Sequence, residues 1–267
     1  MNLQDMFGLD GRVALVTGGS RGIGAMIVEG FLAAGCARVY ISARKTAQVE
    51  AAVADFDTRY PGKVIGLPFD LSSVEGCRAL AAEIGGREER LDILVNNAGA
   101  AWGEPFEGFP ESGWDKVMDI NVKSPFFLTQ ALHALLKAAG TPDHPAKVIN
   151  IGSIDGMRLN PWETYSYHAS KAAILYLTKR LAARLVQDHI VVSAIAPGAF
   201  QSDMNKAARD HGDAVAKSIP VKRIGVPEDM AGAAIFLASK AGDYVVGDTI
   251  TVDGGLVHGD LKTSIDA

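Results

Sequence analysis

A tyrosine and a lysine stand four residues apart in this chain, at Tyr167 and Lys171. On a helix this spacing puts both side chains on one face, about one turn apart. An ammonium group beside a phenol favours the phenolate, so we expect Lys171 to lower the pKa of Tyr167 from its usual value of about 10. Such a phenol can exchange a proton with an alkoxide near neutral pH. Taken alone, the pair more often marks two neighbours on a helix surface, so the rest of the chain must decide.

A glycine-rich turn, Thr17–Gly24, joins the first predicted strand to the first predicted helix. Its glycines remove side chains where a backbone must turn tightly and approach a pyrophosphate, and the helix N-terminus offers free N–H groups and a positive dipole end. The pattern therefore predicts a dinucleotide site rather than an ordinary flexible turn. The residues expected to contact the cofactor here are Gly18, Ser20, Arg21, Gly22, Ile23 and Gly24.

The end of the second predicted strand reads Ser42-Ala43-Arg44-Lys45. Enzymes that use NAD usually place an acid near this point to bind the ribose 2′-hydroxyl, and no acid is in reach here. Guanidinium groups suit phosphate oxygens, so Arg44, with help from Arg21, is expected to bind a 2′-phosphate. The pattern predicts NADP(H) as the cofactor, with Ser42 also in contact. The alternative is that Arg44 and Lys45 only form the exposed start of a helix.

Composition excludes several function classes. The 267 residues carry a net charge of −5, which gives no electrostatic case for binding nucleic acid or an anionic membrane. Cys36 and Cys77 have no partners at metal-ligand spacing, and none of the histidines has such spacing either, so no metal site is expected. No stretch approaches the roughly 18 apolar residues of a membrane span, and the first residues do not read as a signal peptide. We therefore expect a cytoplasmic protein in a reducing compartment.

Strand and helix signals alternate along the whole chain. This alternation predicts an α/β fold, a single Rossmann-type domain over residues 1–267 with a seven-stranded parallel sheet and helices on both faces. The irregular parts include a variable substrate segment at about 199–220 and a C-terminal tail at 256–267. The predicted strands are 13–17, 39–42, 64–69, 91–96, 147–152, 190–195 and 249–252, and the long predicted helices include 21–34, 114–139 and 165–187.

Several further motifs occur in order with the Tyr–Lys pair. They are the turn at 17–24, Asp70, Asn96–Gly99, Asn121, Ser153, Pro197-Gly198 and Val252–Gly255. In this combination the chain resembles the short-chain dehydrogenase/reductase family over essentially its full length, from Asp10 to Gly255. Within that family it is most similar to NADPH-dependent 3-oxoacyl reductases, including the branch linked to rhamnolipid synthesis, and to related carbonyl reductases.

The resemblance implies a role for each of four catalytic residues. Tyr167 would be the general acid in ketone reduction, and Ser153 would hold the substrate carbonyl. Lys171 would bind the nicotinamide ribose, and Asn121 would kink its helix and hold a water linked to Lys171. The remaining cofactor contacts that the resemblance implies are Asp70, Leu71, Asn97, Ala98, Gly99, Tyr167, Lys171, Pro197, Gly198, Phe200 and Ser202.

The substrate side is less determined. Large residues near predicted strand ends suit an apolar ketone rather than a polyol. Asp155 departs from the small residue that many relatives carry there, and Tyr165 reads as a pocket wall because it lacks a lysine four residues on. The expected substrate-pocket residues are Trp102, Asp155, Trp162, Tyr165 and Met204.

The sequence therefore predicts an NADPH-dependent oxidoreductase that reduces an apolar ketone or 3-oxoacyl group, reversibly, to a secondary alcohol. A dedicated 3-oxoacyl-acyl-carrier-protein reductase is the competing interpretation, and a non-catalytic cofactor sensor is a more remote one. The helix after Tyr165 is apolar around more of its circumference than one core face requires. A homo-oligomer, dimer or tetramer, is expected as the protein partner, with a small ketone or alcohol as the ligand.

Overall fold

The computed structural model describes residues 2–202 and 205–259 of the chain. Seven parallel strands form one sheet in the order β3-β2-β1-β4-β5-β6-β7, which confirms the predicted fold class. Their bounds are β1 Val13–Thr17, β2 Arg38–Ala43, β3 Val64–Pro68, β4 Ile93–Asn96, β5 Ala146–Ile151, β6 Ile190–Pro197 and β7 Thr249–Val252.

The central strands are short apolar runs that are buried on both faces, as parallel sheets require. Every residue of β1, β4, β5 and β6 is buried. The strand order reverses between β1 and β4. These two strands are parallel neighbours, with Ala14 opposite Ile93. In open α/β sheets the crevice at such a reversal, outside the carboxyl ends of the strands, is where ligands bind.

Helices cover both faces of the sheet. Among the described residues they are α1 Leu3–Phe7, α2 Gly22–Ala33, α3 Thr46–Asp57, α4 Val74–Gly85, α5 Glu111–Met118, α6 Ser124–Ala131, α7 His133–Ala139, α8 Tyr165–Leu185, α9 Lys206–Asp210, α10 Gly212–Ser218 and α11 Pro227–Ala238.

Two apolar cores result, one on each face. The first joins α2, α3 and α11 to the sheet and includes Phe31 and Cys36, and the second joins α4, α6, α7 and α8 and includes Cys77. Both cysteines are buried and unpaired with each other. The described helices include none with the length and apolar composition needed to cross a membrane.

The single helix predicted over 114–139 is wrong in one respect, because the structure breaks it twice. A π-helical turn, Asp119–Lys123, separates α5 from α6, and Leu132 separates α6 from α7. A π turn adds a residue to the helical repeat and is often found at functional sites. The residue at its centre is Asn121, so the kink expected from the resemblance is present.

Candidate active site

The four residues expected to be catalytic lie at the carboxyl edge of the sheet. Ser153 follows β5 directly, while Tyr167 and Lys171 lie in the first two turns of α8. The Ser153 side chain is hydrogen-bonded to the Tyr167 phenol. The Lys171 ammonium lies 5.5 Å from the centre of the Tyr167 ring and donates to the Ile151 carbonyl at 2.8 Å. The structure therefore brings a phenol, a hydroxyl and a buried ammonium group together, as predicted for a proton donor and a carbonyl-binding group beside a cation.

Asn121 connects this group to the loop that follows β4. Its Oδ1 accepts from the Ala100 N–H, and its Nδ2 donates to the Ala100 carbonyl and to the Ser170 hydroxyl, each at 2.9 Å. Ser170 in turn donates to the backbone carbonyl of Tyr167 at 2.8 Å. The kinked helix therefore positions α8 through a buried side-chain network. Sequence reasoning missed Ser170, whose signal was its place on the same helix, three residues after Tyr167.

The expected fall in the tyrosine pKa is wrong for this structure. Burial raises the pKa of Tyr167 to about 12, the Ser153 hydrogen bond opposes that rise, and Asp155 adds to it. Burial also lowers the pKa of Lys171 to about 8, against a smaller opposing effect of Asp155. Loss of solvent disfavours the charged form of each group, and burial is the largest cause of both shifts. Tyr167 consequently keeps its proton, as ketone reduction requires of a proton donor.

The glycine-rich turn between β1 and α2 has the backbone that close approach to a phosphate needs. Gly18 and Gly22 adopt φ values of 65° and 53°, which favour glycine. A Cβ on Gly24 would lie 2.2 Å from the Gly18 carbonyl oxygen. No side chain caps α2, so its first N–H groups face the turn. Of the other expected contacts, Ser20 accepts a hydrogen bond from Gln48, at 2.9 Å between Nε2 and Oγ.

The segment after β4 packs against this turn. The Thr17 hydroxyl accepts from the N–H groups of Asn97 and Ala98, both at 2.9 Å, and the Asn97 amide donates to the Thr17 carbonyl at 2.8 Å. A Cβ on Gly99 would lie 3.2 Å from the Asn121 Oδ1 atom. These bonds fix the two sides of the crevice relative to each other. Thr17 is a second residue whose role sequence reasoning did not identify.

The end of β2 suits an NADP(H) cofactor. Ser42 is buried, and its hydroxyl has no hydrogen-bond partner among the described residues, while Arg44 is exposed beside it. A buried hydroxyl without a partner is costly unless a ligand satisfies it. Next to it, Leu71 is buried and the Asp70 carboxylate accepts from the Ser72 N–H at 3.0 Å. The residues present therefore provide the donors and the apolar wall that an adenosine 2′-phosphate would need.

At the nicotinamide end, the Phe200 side chain is 2% exposed and packs on Gly225, where an added Cβ would lie 2.4 Å from the ring. Its contact with the cofactor stays a prediction. Gly198 lies close to the Asp253 backbone, and Ser202 approaches Gly22, where an added Cβ would be 3.3 Å from the serine Cβ. The segment after β6 thus folds back over the glycine-rich turn. Pro197 ends β6 beside it.

The expected substrate-pocket residues do not all meet. Tyr165 is partly exposed, donates to Glu163 at 2.7 Å and contacts Phe106 and Phe109 edge-on. Trp162 is 66% exposed and borders a cavity of about 320 Å³ with Tyr165. Trp102 instead packs on Gly113 of α5, below Lys116, and its contacts are with that helix. Met204 lies outside the described residues.

Asp155 lies in the short 3₁₀ turn between β5 and the substrate loop, residues 157–164. Its N–H donates to the Ser153 hydroxyl at 3.1 Å, and its Oδ1 accepts from the Asn160 side chain at 2.9 Å. In the same loop, Arg158 donates to the Leu256 carbonyl and so joins the loop to the segment after β7. Neither Asn160 nor the contact with Leu256 was expected from the sequence.

A second cavity, of about 400 Å³, opens between the segment after β6 and the end of β7. Its lining includes Ala199, Phe200 and Ile219 from the predicted substrate segment at about 199–220, together with Val221, Arg223 and Gly225 just beyond it. Elsewhere in the described part of the chain, no three His, Cys, Asp and Glu side chains gather closely enough to hold a metal ion.

Known proteins resemble this chain over nearly all of its length. The enoyl-(acyl carrier protein) reductase family model matches residues 18–257. The rhamnolipids biosynthesis 3-oxoacyl-(acyl-carrier-protein) reductase of Pseudomonas aeruginosa is 48% identical over 254 residues, which cover 93% of this chain and 97% of that protein.

Two solved structures extend the comparison. The Pseudomonas aeruginosa RhlG/NADP active-site complex matches with a TM-score of 0.90 at 46% identity, covering 96% of this chain and 100% of that one. A gluconate 5-dehydrogenase from Burkholderia cenocepacia, in complex with NADP and tartrate, matches with a TM-score of 0.85 at 35% identity, covering 96% and 98%.

Proposed function

The chain belongs to the short-chain dehydrogenase/reductase family and is an oxidoreductase of that family, and we propose that it is an NADP(H)-dependent ketoreductase. Its substrate would be an apolar ketone or a 3-oxoacyl group, reduced reversibly to a secondary alcohol. The observation that carries the proposal is the contact of Ser153 with Tyr167 beside a buried lysine and the kinked Asn121 helix. A cytoplasmic location remains a prediction, which cell fractionation would test.

The proposed reaction divides the work among these side chains. Bound NADPH would supply a hydride to the carbonyl carbon. The Ser153 hydroxyl would hold the carbonyl oxygen next to the Tyr167 phenol, which then donates its proton to that oxygen. The Lys171 ammonium would bind the nicotinamide ribose and stabilise the phenolate that remains. Asn121 would keep α8 in place through Ser170 and Ala100.

Preference for NADPH follows from the charges at the end of β2. A bound 2′-phosphate needs cationic or hydrogen-bonding partners, and Arg44, Arg21 and the buried Ser42 hydroxyl supply both kinds. The same position holds no carboxylate to bind a ribose 2′-hydroxyl. The cofactor in the two NADP-bound relatives supports the same proposal.

The alternative, a dedicated reductase of carrier-bound 3-oxoacyl chains, draws support from the activity named for the Pseudomonas relative. Against it stands the charge at the end of α8, where an acidic carrier would need free cations. There Asp188 accepts from His133, Lys137 and Arg184, at 3.0, 2.7 and 2.8 Å. These three bonds hold the pKa of Asp188 below its usual range, so the carboxylate stays charged and offsets part of the positive charge of the patch.

A substrate panel with NADPH tests the proposal. Free aryl and alkyl ketones, 3-oxoacyl thioesters of N-acetylcysteamine and carrier-bound 3-oxoacyl chains would be compared by the loss of NADPH absorbance. We expect reduction of free apolar ketones without any carrier. Activity confined to carrier-bound chains would establish the alternative, and no activity on any of the three would refute ketone reduction.

We also propose a homo-oligomer, a dimer or a tetramer. On α8, Tyr176 is 75% exposed, and Ala172 and Ala183 lie on the same exposed side, while Trp114 of α5 is partly exposed. An exposed face of this composition is favourable to bury against a second copy. Light scattering at micromolar concentration should give at least twice the mass of one chain, and a monomer would contradict the proposal.

A further inference from the structure

Asp155 is an acid held next to the proton donor of the site. The turn that carries it packs tightly on α8, because a Cβ on Gly156 would lie 2.5 Å from the backbone carbon of Lys171. Its backbone N–H is bonded to the Ser153 hydroxyl, and its carboxylate acts electrostatically on both Tyr167 and Lys171. The side chain is therefore fixed within reach of the place where a substrate carbonyl would bind.

The Asp155 charge is not neutralised by an ion pair. In the described ranges 2–202 and 205–259, no lysine, arginine or histidine nitrogen comes within 4.0 Å of its oxygens, and its side-chain partner is the neutral Asn160. The nearby Arg158 donates to the Leu256 carbonyl instead. A half-buried carboxylate with a neutral partner is screened only in part by solvent and salt, so part of its field acts in the site.

The other acid of the substrate loop is placed differently. Glu163 is exposed, and its Oε1 accepts from the Tyr165 hydroxyl at 2.7 Å and from the Phe106 N–H at 3.3 Å. Asp155 acts electrostatically on Tyr167. The two acids form a matched pair, one bonded through its backbone to Ser153 and one exposed at the rim.

We propose that Asp155 determines substrate charge: its carboxylate repels ketones that carry a negative charge next to the carbonyl and so restricts the site to neutral ketones and thioesters. This inference rests on the proposed ketoreductase function and narrows its substrate class. A substrate carboxylate next to a carbonyl held by Ser153 would lie near the turn that carries Asp155, because the Asp155 N–H donates to the Ser153 hydroxyl. Like charges brought close together repel in a partly desolvated site.

The test compares a neutral ketone with an anionic one that has the same carbon frame around the carbonyl. Suitable substrates are ethyl 2-oxo-2-phenylacetate and 2-oxo-2-phenylacetate, with NADPH. The ratio of their kcat/KM values is the readout, because any change in the acidity of Tyr167 affects both substrates and cancels. The parent protein should favour the ester by at least about tenfold.

Three variants separate charge from structure. Asp155→Asn removes the charge but keeps an oxygen that can accept from Asn160, and should raise the ratio of kcat/KM for the anion to kcat/KM for the ester about tenfold. Asn160→Ala removes the side-chain partner but keeps the charge, and should leave the ratio as in the parent. Glu163→Gln removes the rim charge and should also leave it unchanged.

Salt and binding give independent checks. Raising the ionic strength should lower the ratio of kcat/KM for the ester to kcat/KM for the anion in the parent protein. The same ratio in Asp155→Asn should change little. If Asp155→Asn leaves the ratio of the two kcat/KM values unchanged, or changes both values by the same factor, the proposed role of the Asp155 charge is overturned. If the parent reduces neither compound, the substrate panel described above decides separately whether the proposed function fails. The relative affinities of the two compounds for the NADP⁺-loaded protein, by tryptophan fluorescence, then still decide whether Asp155 excludes the anion.

Discussion

The cofactor side and the substrate side of this site are built in different ways. Between β1 and α2 the surface is formed by the main chain. Asn97 is hydrogen-bonded to Thr17 there, and a Cβ added to Gly24 would collide with the Gly18 carbonyl oxygen. Around the substrate loop the surface is side chain, with Leu159 83% and Trp162 66% exposed. A surface made of backbone accepts one ligand shape, whereas a rim of side chains can change without disturbing the fold.

The residues that we propose to be catalytic lie where these two regions meet. Ser153 belongs to the rigid end of β5, and the residues after it lead directly into the exposed loop. In the proposed function, this position would let one chemistry serve different substrates, because the core would fix the proton donor while the rim would set selectivity. Substitutions at this junction, on the cofactor side and on the rim should therefore have effects that differ in size and in the property that changes.

The largest effect should come from the junction. Tyr167→Phe removes the proton donor and should reduce ketone turnover by on the order of 10²–10⁴-fold or more, while the affinity for NADPH changes little. Steady-state kinetics and NADPH fluorescence titration measure the two. Tyr165→Phe, on the exposed rim, is the control and should keep most of the rate. A Tyr167→Phe rate above about a tenth of the parent rate would show that another group is the acid.

The rates of ketone reduction and of alcohol oxidation should depend differently on pH. Burial raises the pKa of Tyr167 to about 12, so the protonated phenol needed for reduction is present throughout the neutral range. Alcohol oxidation needs the phenolate, which is scarce at neutral pH and increases about tenfold per pH unit below the pKa. We expect oxidation to rise steeply from pH 7 to 9 and reduction not to rise. Parallel profiles in the two directions would contradict this assignment.

On the cofactor side, one methyl group should be enough to disrupt binding. Gly24→Ala places a Cβ 2.2 Å from the Gly18 oxygen and should weaken NADPH binding by about 100-fold or prevent folding. Gly232→Ala is the control, because that glycine is exposed on α11 with open space around it, and it should stabilise the protein by about 0.5–1 kcal/mol. Near-normal NADPH affinity in Gly24→Ala would mean that the turn tolerates side chains.

Cofactor choice should depend on the cation at the end of β2. Arg44→Asp should weaken NADPH about 10- to 100-fold and spare NADH, because it replaces a phosphate-binding group by a repelling one. Lys45→Asp, one residue on and also exposed, should have a smaller effect. Michaelis constants for both cofactors measure the difference. Equal catalytic efficiency of the parent protein with NADPH and NADH would refute the assignment of Arg44.

The smallest effect should come from the rim. Trp162→Ala removes a mostly exposed side chain, so the melting temperature and the NADPH affinity should stay near those of the parent. The KM for a bulky apolar ketone should rise about two- to tenfold, because an apolar wall is lost. Acetone or another small ketone is the control and should be unaffected. A large loss of stability would place Trp162 in the structural part of the molecule.

Much of the fold could be predicted from the sequence, because its signals are local. Short apolar runs between turns predicted all seven strands. The glycines after β1 predicted a turn suited to phosphate, and two of them adopt φ near 60° in the structure. The Tyr167–Lys171 spacing placed two side chains on one helical face before any tertiary structure was considered. Each of these inferences uses residues that are near one another in the chain.

Only the tertiary structure decided the properties that depend on distant contacts. The raised pKa of Tyr167 is due to burial, which reversed the effect expected from Lys171 alone. The burial of Phe200 against Gly225 and the packing of Trp102 under α5 followed from how separate segments meet. Side-chain spacing along a helix or strand is set by the chain itself, but solvent exposure and long-range partners are set by packing. The sequence alone therefore determined the chemical groups of this protein, and the fold determined their charge states and surroundings.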